Sequence, residues 1–382
     1  MRNVGRVVVA AAVLSLSALA LAGGKAAFAN GKRGDAPVRW KPREEKKDYP
    51  MKGFTYVKLY DEKAPYRAQM VKIDLKTPGI RFHAVNGSGK TCSVLAPDAM
   101  AAQLKKSGGG KVRPIVGTNA DFFDNGGSSK YRGNTLRMAV SDGRLISTGY
   151  GQEGGCCNYV WETDKGEVGV SPLKFSGSLA VDGQTLTIKN VNTFPGGHGW
   201  GSGVSVYTDD WNADVPEDGV RISIPVKGKA KPGAAAVDVA DLEVNVMSGA
   251  YKGKKAKLTW TVSGATGPVR NAVGVWLDLV KDGKVMPNLP SYDAYPCTAF
   301  GFNPETKTYV VFVCDGRQPD WSKSVDCDKL AALLAAEGCT YAGEFDGGGS
   351  TAMWMDRLGI VNRPSDGGAR PVGSGIFFSV SK

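Results

Sequence analysis

Fifty-one glycines punctuate this chain of 382 residues, most of them in short clusters between β-rich runs. Each glycine inside a helix costs about 1 kcal/mol relative to alanine, whereas tight turns and close-approach loops use its freedom directly. A fold of long helical bundles is therefore not expected. Hydrophobic residues make up 42% and charged residues 22%, with no long polar tract, so disorder, a coiled coil and a collagen-like chain are poor fits. The two histidines, His83 and His198, exclude multi-histidine zinc sites and leave few bases for a Ser-His-Asp triad.

Arg2 and Arg6 precede an apolar stretch from Val7 to Ala22, and Ala27-Phe28-Ala29 supplies small residues where a signal peptidase inspects the chain. Residues 1–29 read as a signal peptide, which predicts an exported protein: periplasmic, cell-surface or extracellular. That stretch is short for a hydrocarbon layer of about 30 Å, and no transmembrane helix is expected in the mature form. None of the seven cysteines forms a Cys-x-x-Cys pair, which suits an oxidising compartment better than a metal cluster. The net charge is +11. Part of it sits in residues 30–53, read as a solvated basic arm that could also attach to an anionic wall. Nucleic acid is not expected as a partner.

From residue 54 onward, strand-like runs dominate. The runs Met138–Ser141 and Arg144–Ser147 flank Asp142-Gly143, a hairpin signal. Pro97 opens one helix, stopped by Gly108-Gly109-Gly110, and Asp326 caps a second, stopped by Gly338. Residues 227–233 read as a surface loop. The expected class is α+β: a β-rich mixed sheet with few helices, as a single large domain over residues 54–382. Thr298–Phe302 and Tyr309–Val313 read as a hairpin. If Pro304 faces Lys307 across its turn, Cys297 lies opposite Cys314, which predicts a cross-strand disulfide.

Three polar clusters follow hydrophobic strands: Asn119 and Asp121; Asp315 and Arg317; and Glu344-Phe345-Asp346-Gly347-Gly348-Gly349-Ser350-Thr351. Consecutive glycines after a carboxylate let backbone approach a ligand and can aim amides at an anion. A plain sharp turn would use the same residues. The cluster lacks the Gly-Lys-Ser/Thr ending of a phosphate-binding P-loop, which disfavours nucleotide hydrolysis. Each aspartate could equally cap a turn, and Arg317, Arg363 and Arg370 could form surface ion pairs.

Taken in order, Thr118-Asn119-Ala120-Asp121-Phe122-Phe123, Thr298-Ala299-Phe300-Gly301, Asp315-Gly316-Arg317, Asp346 to Thr351 and Asn362-Arg363-Pro364-Ser365 resemble the phosphodiester glycosidase domain family. The likeness runs from about Tyr56 to the C-terminus. It implies a hydrolase that cleaves the glycosidic C–O bond of a sugar-1-phosphodiester in an envelope or extracellular glycan, often exopolysaccharide-related. Asp121, Asp315, Asp346 and Glu344 are the catalytic candidates. Asn119, Thr298, Arg317, Gly347, Gly348, Gly349, Ser350, Thr351, Asn362, Arg363 and Arg370 are the substrate-binding candidates. Two alternatives stand beside this. Asp121, Asp315 and Asp346 could hold Ca²⁺ or Mg²⁺ for P–O cleavage, or the protein could bind glycan without catalysis. Two positions depart from the family pattern: Cys297 replaces an arginine that the resemblance places in the active site, and Glu344-Phe345 replaces Asn-Leu.

Overall fold

The computed structural model describes residues 41–61, 65–151, 158–194, 203–217, 219–224, 239–290 and 295–381. The expected signal segment, the 227–233 loop, His198, Cys156 and Cys157 lie outside them. Contacts gather Pro37–Lys382 into one unit. Among the described residues no helix is long and apolar enough to cross a membrane.

Twenty-four strands and two α-helices occur among the described residues. This corrects the α+β expectation: the fold is β-rich, with three open sheets and a closed barrel in place of one mixed sheet. Both expected helices form, Pro97–Ser107 and Cys327–Ala336, and Asp326 caps the second by accepting from the Lys329 amide at 2.8 Å. They pack against sheets without forming a layered α/β core. The glycine-punctuated middle of the chain supplies the barrel, from Lys174–Val181, Gln184–Val191, Val204–Tyr207, Gly219–Ser223, Val239–Val246 and Lys255–Ser263. Its last strand shows why. Ala256, Leu258, Trp260 and Val262 are buried while the residues between them are more exposed, the period of two that gives a sheet one wet face. Closure then removes the unpaired edges.

The site rests on a sandwich. In one sheet Phe54–Asp61, Tyr66–Asp74, Thr308–Cys314, Cys297–Asn303 and Tyr341–Glu344 are successive neighbours. In the sheet packed against it, Met353–Met355, Val112–Asn119, Ser374–Ser381 and Ile80–Asn86 are successive neighbours. Phe54, Val71, Phe300 and Val311 of the first meet Phe82, Val116, Met353 and Phe378 of the second in one core. Each such side chain contributes about 1.5–3 kcal/mol on burial. The alternate residues Val57, Leu59, Ala299 and Phe312 face the other way and pack with Leu330 and Leu334 of the second helix.

The hairpin register places Cys297 opposite Cys314, as the turn argument expects, while both thiols are free. Part of the expected basic arm is not a free segment. Lys41–Lys46 pairs antiparallel with Phe54–Asp61 as an edge strand, and Glu44 bridges Lys46 and Lys58 at 2.7 Å each.

Candidate active site

Antiparallel order brings four motif positions to one end of the sandwich. Asn119 ends its strand, Thr298 stands near the start of its own, and Asp315 and Asp346 lie just beyond theirs. The Asp346 amide donates to the Ala120 carbonyl at 2.8 Å, stitching one sheet to the other. Side chains complete the web. Asn119 Nδ2 donates to the Asp346 carbonyl, and its Oδ1 accepts from Thr298 Oγ1 at 2.8 Å and the Ala352 amide at 3.2 Å. Thr298 Oγ1 also lies 3.3 Å from Thr351 Oγ1. Asn362 Nδ2 donates to the Thr351 carbonyl and to Asp315 Oδ1. Asp315 accepts in addition from the Arg363 amide at 2.9 Å and from Trp321 Nε1 at 2.8 Å. Burial raises its carboxyl above the usual aspartate range, and these donors offset part of the rise. Asn119, Thr298, Thr351, Asn362 and Asp315 thus spend their polar atoms on the fold: they position loops.

Two carboxylates remain. Asp346 is 9% exposed and Asp121 3%. Burial lifts Asp346 from 3.8 to about 7; the Ser350 hydroxyl, Arg370 and the Gly347 amide pull back, and the Asp121 charge adds to the rise. Burial lifts Asp121 to about 6, opposed by Arg137. Asp121 Oδ2 accepts from the Arg137 amide at 2.8 Å, and the Arg137 guanidinium lies 4.0 Å from Oδ1. That guanidinium also sits 5.6 Å from the centre of the Trp276 ring, which packs on Phe122. Tyr150 is close enough to both carboxylates for their charges to raise its hydroxyl further above the usual tyrosine range, beyond the effect of burial.

The glycine turn lies beside this pair. Gly348–Ser350 forms a short 3₁₀ turn with Gly348 at φ +62°, a conformation that suits glycine. A Cβ at Gly349 would collide with the Arg370 guanidinium and the Asp366 carboxylate, and one at Gly348 would lie 3.1 Å from Arg317. Bare backbone therefore lets two arginines close in from different sides. The expected amide cradle is largely spent internally. The Gly348 amide donates to the Pro296 carbonyl at 2.7 Å, those of Ser350 and Thr351 donate within the turn, and that of Gly347 turns to Asp346. The cations beside the turn are the Arg317 and Arg370 side chains, and Arg370 forms the ion pair with Asp366, at 2.6 Å, that its sequence context allowed.

Residues 202–379 match the phosphodiester glycosidase family. No curated protein matches the chain by sequence. A hypothetical protein from Synechocystis superposes with a TM-score of 0.60 at 16% identity, over 88% of this chain and 64% of its own length. The chain thus spans 64% of that relative. A Burkholderia pseudomallei protein described as exported gives 0.54 at 17% identity, over 82% and 74%. These two likenesses are of fold alone. The zebrafish N-acetylglucosamine-1-phosphodiester alpha-N-acetylglucosaminidase catalytic domain, auto-inhibited by its pro-peptide, gives 0.45 at 12%, over 92% and 86%.

Glu344 lies off the aspartate pair, though the Asp346 charge still reaches it. It ends its strand on the face that carries Ala342 and the second helix, accepts from the Tyr295 hydroxyl at 3.0 Å and lies 3.7 Å from Cys327 Sγ. Burial lifts it to about 7. Cys297 belongs to the same helix-facing core. Asp121, Asp315 and Asp346 do not fit as a cation set, because the Asp315 oxygens are taken by three N–H donors. Among the described residues no three histidine, cysteine or acidic side chains are placed to hold a metal ion. Sequence reasoning missed Arg137, Tyr150, Trp276 and Trp321, which lie outside the motifs. The one usable signal was the aromatic and basic content of the segments beside them.

Proposed function

We propose that the protein is an exported phosphodiester glycosidase that hydrolyses the anomeric C–O bond of a sugar-1-phosphodiester in an envelope or extracellular glycan. The observation that carries this is the Asp121–Asp346 pair, buried beside the Arg370–Ser350 end of the glycine turn. Breaking that bond leaves an oxocarbenium-like sugar and expels a phosphate monoester, a leaving group that needs little protonation. The site must therefore steady a cation on one side and an anion on the other. Between pH 6 and 7, bracketed by their two values, the carboxyls hold about one proton between them. One is then free to face the sugar cation or activate water while the other keeps its proton. Arg317, drawn in over Gly348, neutralises the departing phosphate, with Arg370 over Gly349 contributing what its Asp366 pair leaves. Tyr150 and Trp276 wall the sugar side.

Hydrolysis in ¹⁸O-water tests the reading. Label in the released sugar, lost in Asp346→Ala, supports it. Label in the phosphate would instead mean P–O cleavage, and glycan binding with no turnover on sugar-1-phosphate esters or UDP-sugars would mean a non-catalytic protein.

A further inference from the structure

Near the glycine turn lies a pocket of about 580 Å³ whose lining includes Gln318, Asn362, Arg363 and Ser365. Its volume falls within the roughly 300–1,000 Å³ of small-molecule sites. It adjoins the candidate centre, since Gln318 follows Arg317 in sequence and its Nε2 donates to the Arg363 carbonyl at 2.9 Å. Its chemistry is one-sided. No carboxylate is among its lining residues, and Arg363 supplies the charge there. Arg363 makes no ion pair with a carboxylate among the described residues. Its backbone amide hydrogen-bonds Asp315, and its charge also acts on that carboxyl from a distance.

The guanidinium joins an arginine–aromatic cluster. Arg363 lies 5.4 Å from the centre of the Trp321 ring, and Arg67 lies 4.1 Å from the same ring and 4.4 Å from that of Tyr60. Trp321 is in turn fixed by its N–H bond to Asp315. Ser365 lines the pocket, and its Oγ has no hydrogen-bond partner, a state that ordinarily costs about 1–3 kcal/mol. A guanidinium without an ion pair, beside a hydroxyl without a partner, is chemistry suited to a phosphoryl or carboxylate group.

We infer that this pocket is the aglycone subsite and selects substrates whose aglycone carries a second negative charge, a phosphoryl or carboxylate group beyond the scissile phosphate. The inference rests on the glycosidase reading above. The test compares kcat/KM for three esters of one sugar 1-phosphate: the methyl ester, the lactate ester with its carboxylate, and the UDP-sugar with its second phosphoryl group. Wild type should favour at least one charged aglycone over methyl by tenfold or more, and the two charged arms tell which anion is read. In Arg363→Ala and Ser365→Ala that ratio should fall toward one, with Arg363→Lys retaining part of it. A wild-type ratio near one, or one unchanged in Arg363→Ala, overturns the inference. Absence of turnover on every ester would sink the glycosidase reading instead. Calorimetry with inorganic pyrophosphate then decides the pocket: binding at least tenfold weaker in Arg363→Ala supports it, and equal or absent binding overturns it.

Discussion

Asp346→Asn should make the protein relatively more stable at alkaline pH while removing turnover. In an unfolded chain this carboxyl ionises near 3.8; in the fold it does so near 7, chiefly because burial disfavours the charge. Between those values the folded state holds a proton that the unfolded state has released, so stability falls as pH rises through the interval. Above pH 7 the buried charge is fully present. The gap, at about 1.4 kcal/mol per pH unit, corresponds to a cost of about 4 kcal/mol. Asparagine avoids that cost but brings an N–H₂ group that needs acceptors, about 1–3 kcal/mol at any pH. The absolute stability of the variant therefore depends on repacking, while its pH dependence does not. Urea unfolding of both proteins at pH 4 and pH 8 should show the variant gaining on wild type by about 4 kcal/mol across that range. In parallel, kcat/KM on a sugar-1-phosphodiester should drop at least about 100-fold, the usual scale for a proton-transfer group. A stability difference that stays flat with pH would refute the reasoning. It would mean that Asp346 titrates as an ordinary ion-paired aspartate held by Arg370.

Other parts of the site give further expectations. Asn119→Ala strips partners from Thr298 and the Ala352 amide, both buried, and should cost about 2–4 kcal/mol in chemical denaturation; a loss below about 1 kcal/mol would mean that the web is not what ties the sheets. Glu344→Gln should keep kcat/KM within about threefold, since Glu344 faces the second helix; a loss of tenfold or more would return it to the reacting groups. Glutathione disulfide should oxidise Cys297 and Cys314 to a cross-strand bond, with the glutathione reduced, because the register already sets them opposite. Thiol titration should show the paired loss, abolished in Cys297→Ser, and separate glutathionylation of each cysteine would contradict it.

Local signals in the sequence reached as far as single ladders. The Cys297–Cys314 register, the Asp326 cap and the Asp142-Gly143 hairpin each follow from a few neighbouring residues. The barrel did not, because its closure joins Lys174–Val181 to Lys255–Ser263, a pairing that no local pattern encodes. Within the site, spacing misled in one instructive way. Glu344 and Asp346 are two apart, which in a continuing strand would put both on one face. The strand ends at Glu344, and the next turn carries the Asp346 amide to Ala120 on the opposing sheet. The glycine triplet was legible as a close-approach element, but not that its amides would be used up internally and that Arg317 and Arg370 would do the approaching.

Cys297 and Glu344, the two positions unlike the pattern this chain resembles, fall into one cluster. Cys297 and Glu344 both face the second helix, Glu344 is near enough to raise the Cys297 thiol electrostatically, and Tyr295 and Cys327 complete the group. A lone arginine or a lone ionised carboxylate in such a core would carry a desolvation penalty of several kcal/mol. This chain has neither below neutral pH. The thiol at 297 is neutral, and the Glu344 carboxyl, lifted to about 7, keeps its proton and the Tyr295 hydrogen bond. The consequence for chemistry is specific. Thr298, the next residue, points into the sandwich toward Asn119, so the exchange at 297 acts on the sheet's far face. The charges that meet the carboxylate pair are those of Arg137 and Arg370, and they are untouched by it.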